Sequence, residues 1–246
     1  MLLRLLNVEW IKLKNSKIWL IVLASPCLAS IIGFFPYFRA DVNEWILLST
    51  QMILVHSALF LPLLTGVLGA ILCSHEHSHG GWKQLLALPV SRVQVYLAKY
   101  ITIGILLLCT QVLFLIFIWL TGTVQGFTSQ FPLVSLVLSI VIGWLSCLPL
   151  AALQLGLATS FTSFAAPSVI NVMLTLPSIL LANSKILGPL YPWSHPMLGM
   201  TQMFSASLGG NAGFLANVSS FYITLILSLV IFLTFGILYF YKKQWR

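Results

Sequence analysis

The chain has 246 residues, of which 59% are hydrophobic and only 7% charged, with a mean hydropathy of +1.03. A soluble domain carries about 25% charged residues because water must wet its surface, so this composition excludes a water-covered globule and points to lipid as the solvent. The net charge of +8 does not indicate a nucleic-acid partner either, because the Lys and Arg residues sit at the ends of apolar runs, where they set topology and meet anionic lipid.

Residues 1–17 predict a helix lying on the membrane surface. Leu2, Leu3, Leu5, Leu6, Trp10 and Leu13 share one arc at about 100° per residue, while Arg4, Asn7 and Lys14 face away. Glu9 falls inside the apolar arc. It has two candidate partners: Lys12, three residues on, or a cytoplasmic Lys or Arg of the bundle. No small-residue cleavage pattern follows the first apolar run, so a removable signal peptide is not expected.

Six apolar runs follow, at Ile18–Phe35, Trp45–Leu72, Tyr100–Leu120, Leu133–Leu157, Pro167–Ala182 and Phe221–Tyr241. Each is near the ~20 residues that a bilayer core requires. The fold class expected is an all-α polytopic membrane protein with six transmembrane helices in one domain, 1–246. Pro62, Pro149 and Pro177 predict kinks. With both termini inside, ten basic residues are cytoplasmic (Arg4, Lys12, Lys14, Lys17, Lys83, Arg92, Lys99, Lys242, Lys243, Arg246) and two, Arg39 and Lys185, lie outside. That asymmetry sets the orientation as N-in and C-in.

The outer loop 183–220 is nearly uncharged and rich in Gly, Pro and aromatic residues. It is expected to form short helices or a re-entrant segment. Gly122–Gly126 and Gly209–Gly213 have the Gly-x-x-x-Gly spacing but lie in loop-like sequence, and carry no dimerisation argument. Cys27, Cys73, Cys109 and Cys147 have no paired spacing and read as small core hydrophobes.

Segment 73–99 is the sizeable polar interruption on the basic side. His75-Glu76-His-Ser-His79 has the His-Glu-x-x-His spacing of zinc proteases, in which Glu is the general base on a metal-bound water. Gly80 and Gly81 would end the required helix at once, and no third ligand is evident on that side. An intramembrane zinc metalloprotease using His75, Glu76 and His79 is therefore the weaker alternative, and no metal is expected. Nucleophile-elbow and phosphate-loop motifs are absent. The spans hold His56, Gln111, Gln154 and Asn171 but no carboxylate suited to ion coupling. With Trp193 these residues form a possible substrate path. A lone His of this kind is more often a helix–helix hydrogen bonder than a relay.

Trp82-Lys-Gln-Leu-Leu-Ala-Leu88 is a short amphipathic turn stopped by Pro89, with Ser91 placed to cap the next helix. A short helix between two spans, apolar on one side and basic on the other, suits the groove of a soluble partner. An interfacial helix with nothing docked would have the same pattern.

Glu76, Gly81, Trp82, Lys83, Leu85, Leu86, Pro89, Ser91 and Arg92, closed by Lys99, together with the opening Glu9, Trp10, Lys12 and Lys14, resemble the ABC-2 type permease family. The resemblance implies a coupling helix between helices 2 and 3 that contacts a separate ATPase, and an amino-terminal helix on the inner leaflet. The small size and Tyr191-Pro192-Trp193 are most similar to permeases of lantibiotic and bacteriocin self-protection transporters. By that resemblance the chain has no catalytic residues and no cofactor of its own, and ATP and Mg are bound by the partner. It works with two ATPase copies and a second permease, homologous or identical, in a bacterial plasma membrane. It moves an amphipathic peptide or another lipophilic substrate out of or away from the membrane. A non-transporting membrane sensor or scaffold is a further alternative.

Overall fold

The computed structural model describes residues 1–14, 16–35, 43–77, 80–204 and 218–244. Among these the fold is helical: α1 (Leu2–Lys14), α2 (Ile18–Gly33), α3 (Glu44–Val55), α4 (Leu61–His77), α5 (Gly81–Ala87), α6 (Arg92–Val124), α7 (Leu133–Ser160), α8 (Ala165–Thr175), α9 (Ser178–Ala182), α10 (Leu187–Leu190), α11 (His195–Thr201) and α12 (Val218–Lys242).

Among the described residues, four helical segments are long and apolar enough to cross a membrane: Glu44–His77, Arg92–Val124, Leu133–Ser160 and Val218–Lys242. A fifth results if the bent pair α1–α2 counts as one span. The other expected spans are shorter. The first apolar run gives the 16-residue α2, and the fifth gives the 11-residue α8, which stops just before Pro177 and resumes as α9. By contrast, Pro149 lies inside an uninterrupted α7. At ~1.5 Å per residue, the 33 residues of α6 reach about 50 Å, well beyond the ~30 Å hydrocarbon core. The helix is longer than the apolar run Tyr100–Leu120 because it begins eight residues earlier, at Arg92.

Segment Glu44–His77 is continuous but irregular. Asn43 caps α3 through its side chain, which accepts from Trp45 N at 2.9 Å. One π-helical turn, His56–Phe60, separates α3 from α4. Pro62 follows directly and cannot donate to the ladder. The Ala58 carbonyl accepts instead from Ser178 Oγ at 3.4 Å.

α7 lies at the centre, packed against α4, α6, α11 and α12, while α2 lies along α6. Several glycines inside the helices mark close approach. A Cβ on Gly122 would come within 2.2 Å of the Trp45 ring, which also meets Phe127 and Phe131 edge-on. The described part of the outer loop folds into α10, α11 and two short 3-10 turns. Every residue of α11 is buried, and Met200 meets Gly143 while Gly199 meets Ser146, near the middle of α7. This agrees with the expectation of short helices. Residues 205–217, with the Gly209–Gly213 spacing, and Arg39 and Asp41 lie outside the described residues. All four cysteines are free. Cys73 and Cys147 are buried as expected, Cys109 is half-buried, and Cys27 is exposed rather than in the core.

Candidate functional site: the loop between α4 and α6 and its ionic base

α1 buries Leu5, Glu9 and Leu13, a stripe at i, i+4 and i+8, against the bundle. Leu2 and Leu6 flank it, whereas Leu3 and Trp10 are exposed. The apolar arc read from the sequence therefore serves two surroundings: part faces protein, part faces outward. Trp10 meets Trp19 of α2 edge-on at 5.6 Å, Lys14 is exposed and Lys12 half-buried.

Both partners considered for Glu9 are present. Lys12 Nζ lies 3.2 Å from Glu9 Oε1, and Lys99 Nζ lies 3.2 and 3.3 Å from its two carboxylate oxygens. Lys99 also reaches Glu76 Oε2 at 2.9 Å and donates to the Leu72 carbonyl at 2.8 Å. Lys12 closes the ring onto Glu76 Oε1 at 2.6 Å. Two of the chain's four acidic residues thus meet one fully buried ammonium and one half-exposed one. Buried charges persist only when paired and hydrogen-bonded in this way. The two carboxylates balance the two ammonium groups.

Trp82, the second residue of α5, covers this cluster. Its ring lies 5.5 Å from Lys99 Nζ, a cation–π distance, and packs edge-on against Phe240 of α12. Its indole N–H donates to His77 Nδ1 at 3.2 Å, and His77 Nε2 lies 3.1 Å from the Ala158 carbonyl. One neutral tautomer of His77 satisfies both bonds. The turn into α5 depends on two glycines. Gly80 has φ +71°, and a Cβ on Gly81 would come 2.9 Å from Glu76 Cα.

The outward side of the loop consists of Lys83, Gln84, Ala87, Leu88, Pro89 and Ser91, all exposed. Leu85 and Leu86 are half-buried against the core, so the freely exposed apolar residue is Leu88, at 55%. Ser91 holds the N-cap position of α6 with extended backbone, yet its side chain makes no capping bond. Arg92, expected at the coupling surface, donates to the Tyr241 and Lys243 carbonyls at 2.6 and 3.1 Å, and so caps α12. Lys243 does the same for α7, donating to the Thr159 and Ser160 carbonyls. The loop is thereby joined to α1, α6, α7 and α12.

Of the zinc-protease motif, two residues are described. His75 is exposed, Glu76 beside it is buried with both oxygens facing Lys12 and Lys99, and His79 lies outside the described residues. No group of three or more His, Cys, Asp or Glu suited to a metal occurs among the described residues.

The residues of the possible substrate path form two closed clusters. Ser25 Oγ, His56 and Gln111 make a chain, with His56 Nδ1 at 2.8 Å from Ser25 and Nε2 at 3.2 Å from Gln111 Oε1. The His56 ring stacks on Phe114 at 3.8 Å, and Gln111 continues to Met200 Sδ. In the second cluster Asn171 Oδ1 accepts from Gln154 at 2.7 Å and from Trp193 at 2.9 Å. Its Nδ2 donates to the Pro62 and Leu63 carbonyls. All four hydrogen-bonding valences of that amide are used.

Sequence reasoning placed Lys99 only as the closing residue of the loop and did not place Met200 in a site. Lys99 had a signal, because a lysine leading into an apolar run needs a carboxylate. Met200 had none.

Long apolar helices around a buried polar interior, with one short helix between two of them, mark a multi-pass membrane protein. The model of the ABC-2 family of transporter proteins matches residues 5–178, and the chain belongs to that family. No match was found among curated proteins. Membership makes the chain the membrane-spanning subunit of an ABC transporter, a component that is generally not itself catalytic and normally pairs with an ABC ATPase.

Proposed function

We propose that this permease crosses a bacterial plasma membrane six times with both termini inside. α2 and the α8–α9 pair would supply the two shorter crossings. Two copies of a separate ATPase, which hold ATP and Mg, and a second permease, homologous or identical, complete the transporter. The cargo is an amphipathic peptide of the lantibiotic or bacteriocin class, moved out of or away from the membrane. In support, the described spans offer neutral polar groups rather than carboxylates at mid-depth (His56, Gln111, Gln154, Asn171), which suits a lipophilic cargo better than an ion.

The observation that carries the docking proposal is the two-sidedness of α5. Trp82 is anchored inward on Lys99 and Phe240, while Lys83, Gln84, Leu88 and Pro89 face outward. An interface of this kind is held by a few apolar anchors with charges at the rim. Leu88→Asp is expected to insert normally and to lose the ATPase on purification, whereas Lys83→Ala weakens recovery in a salt-dependent way. Undiminished ATPase recovery with Leu88→Asp at matched membrane levels would place the docking site elsewhere.

A further inference from the structure

Glu9 and Lys99 are 90 positions apart, and with Glu76 they join three helices, α1 being far in sequence from the other two. Glu9 is on α1, Glu76 is in the last turn of α4 just before α5, and Lys99 is on α6. The carboxylates are 5% and 4% exposed and the lysine 1%. Separating any member would strand a charge in a site that water does not reach, so the three elements must move together or not at all. Trp82 adds α5 to the same body through Lys99 and His77.

We propose that Glu9 and Lys99 are positioning residues of the transport cycle. They lock α1 to the α4–α5 junction, so that displacement of α5 is delivered to α1 and α6 as one rigid lever. This rests on α5 being the docking element. Without the lock, the seven-residue α5 between its two glycines and Pro89 would turn about Gly80 and dissipate the motion locally. α1 is then a working part of the permease rather than only a membrane anchor.

The test uses the full-length permease in nanodiscs with Cys27 and Cys109, the accessible thiols, replaced by Ser. Nitroxides are attached through Val8→Cys on α1 and Gln84→Cys on α5, both exposed positions. The permease alone should give one narrow Val8–Gln84 distance, and Glu9→Gln should broaden it. In the complex with its ATPase, trapping ADP with vanadate after ATP hydrolysis should leave that distance unchanged. In the same complex, Glu9→Gln should keep ATPase recovery and hydrolysis but lower transport per ATP by about 5-fold or more, the scale of a typical coupling energy. Glu9→Asp should retain most coupling, and the exchange Glu9→Lys with Lys99→Glu should restore part of what either change alone removes.

A Val8–Gln84 distance that changes on trapping, or stays narrow in Glu9→Gln, overturns the lever. Equal loss of hydrolysis and transport in Glu9→Gln overturns it as well, since that is what a folding defect would produce. Failure of the docking proposal shows separately, as ATPase recovery that is indifferent to Leu88→Asp.

Discussion

A Cβ on Gly66 would lie 2.2 Å from the Asn171 amide nitrogen, so the glycine in α4 is the space that the asparagine in α8 fills. The fit is what brings α8 onto the irregular stretch of the second span. There Asn171 hydrogen-bonds the Pro62 and Leu63 carbonyls while receiving Gln154 and Trp193. A short helix is thus held beside a proline by one fully used amide.

Gly66→Ala is therefore expected to destabilise the protein. Forcing a methyl group into a packed site costs about 1–3 kcal/mol, and displacing Asn171 leaves buried partners unpaired at about 1–3 kcal/mol each. Alanine's helix-propensity gain of about 1 kcal/mol over glycine offsets only part of this. In an Asn171→Ala background the same substitution should be neutral or stabilising. Thermal unfolding of the four members of this cycle in nanodiscs checks the coupling.

The two lysines of the ionic base should differ in cost. Lys99→Met leaves Glu9 and Glu76 buried with Lys12 alone, and breaking a buried pair costs on the order of 3–5 kcal/mol. The Lys12 side chain is 33% exposed, so water can take part of its place beside the carboxylates, and Lys12→Met should cost less than Lys99→Met. Unfolding midpoints of the two variants should fall in that order. Equal losses would show that Lys99 is hydrated.

The six-span topology predicts opposite sides for two exposed loops. With accessible native thiols removed, Gln84→Cys on α5 should react with an impermeant maleimide only from inside. Thr128→Cys, between α6 and α7, should react only from outside. Labelling of both from one side would remove the N-in, C-in arrangement.

The docking surface predicts a contrast within α5. Leu88→Ala should weaken ATPase recovery while leaving the unfolding midpoint nearly unchanged, because that side chain is 55% exposed. Trp82→Ala should do the reverse first, destabilising the fold by about 3–5 kcal/mol through lost burial and so lowering the midpoint. Parallel pull-down and unfolding of the two variants separates the two roles.

Membrane class, helical content and the position of the polar loop were legible in the sequence, because lipid demands long uncharged runs and the chain's few charges fall between them. So was α5, whose bounds follow from Gly80, Gly81 and Pro89. The local backbone preferences of those residues need no tertiary partner.

The tertiary structure decided which faces meet. In lipid, an apolar side chain gains little from a protein neighbour over an acyl chain, so periodicity does not separate the two. α12 reads as apolar all round, yet only Phe221, Leu225, Gly236 and Phe240 are buried among its residues. For the same reason the arc on α1 did not reveal that Leu5 and Leu13 turn inward while Leu3 and Trp10 turn out, nor that Leu88 rather than Leu85 or Leu86 is the open residue of the loop. Glu9 stood out as a charge among leucines. Its choice of Lys99, 90 residues away, depends on α1, α4 and α6 converging at one point, and only the packed bundle brings them there.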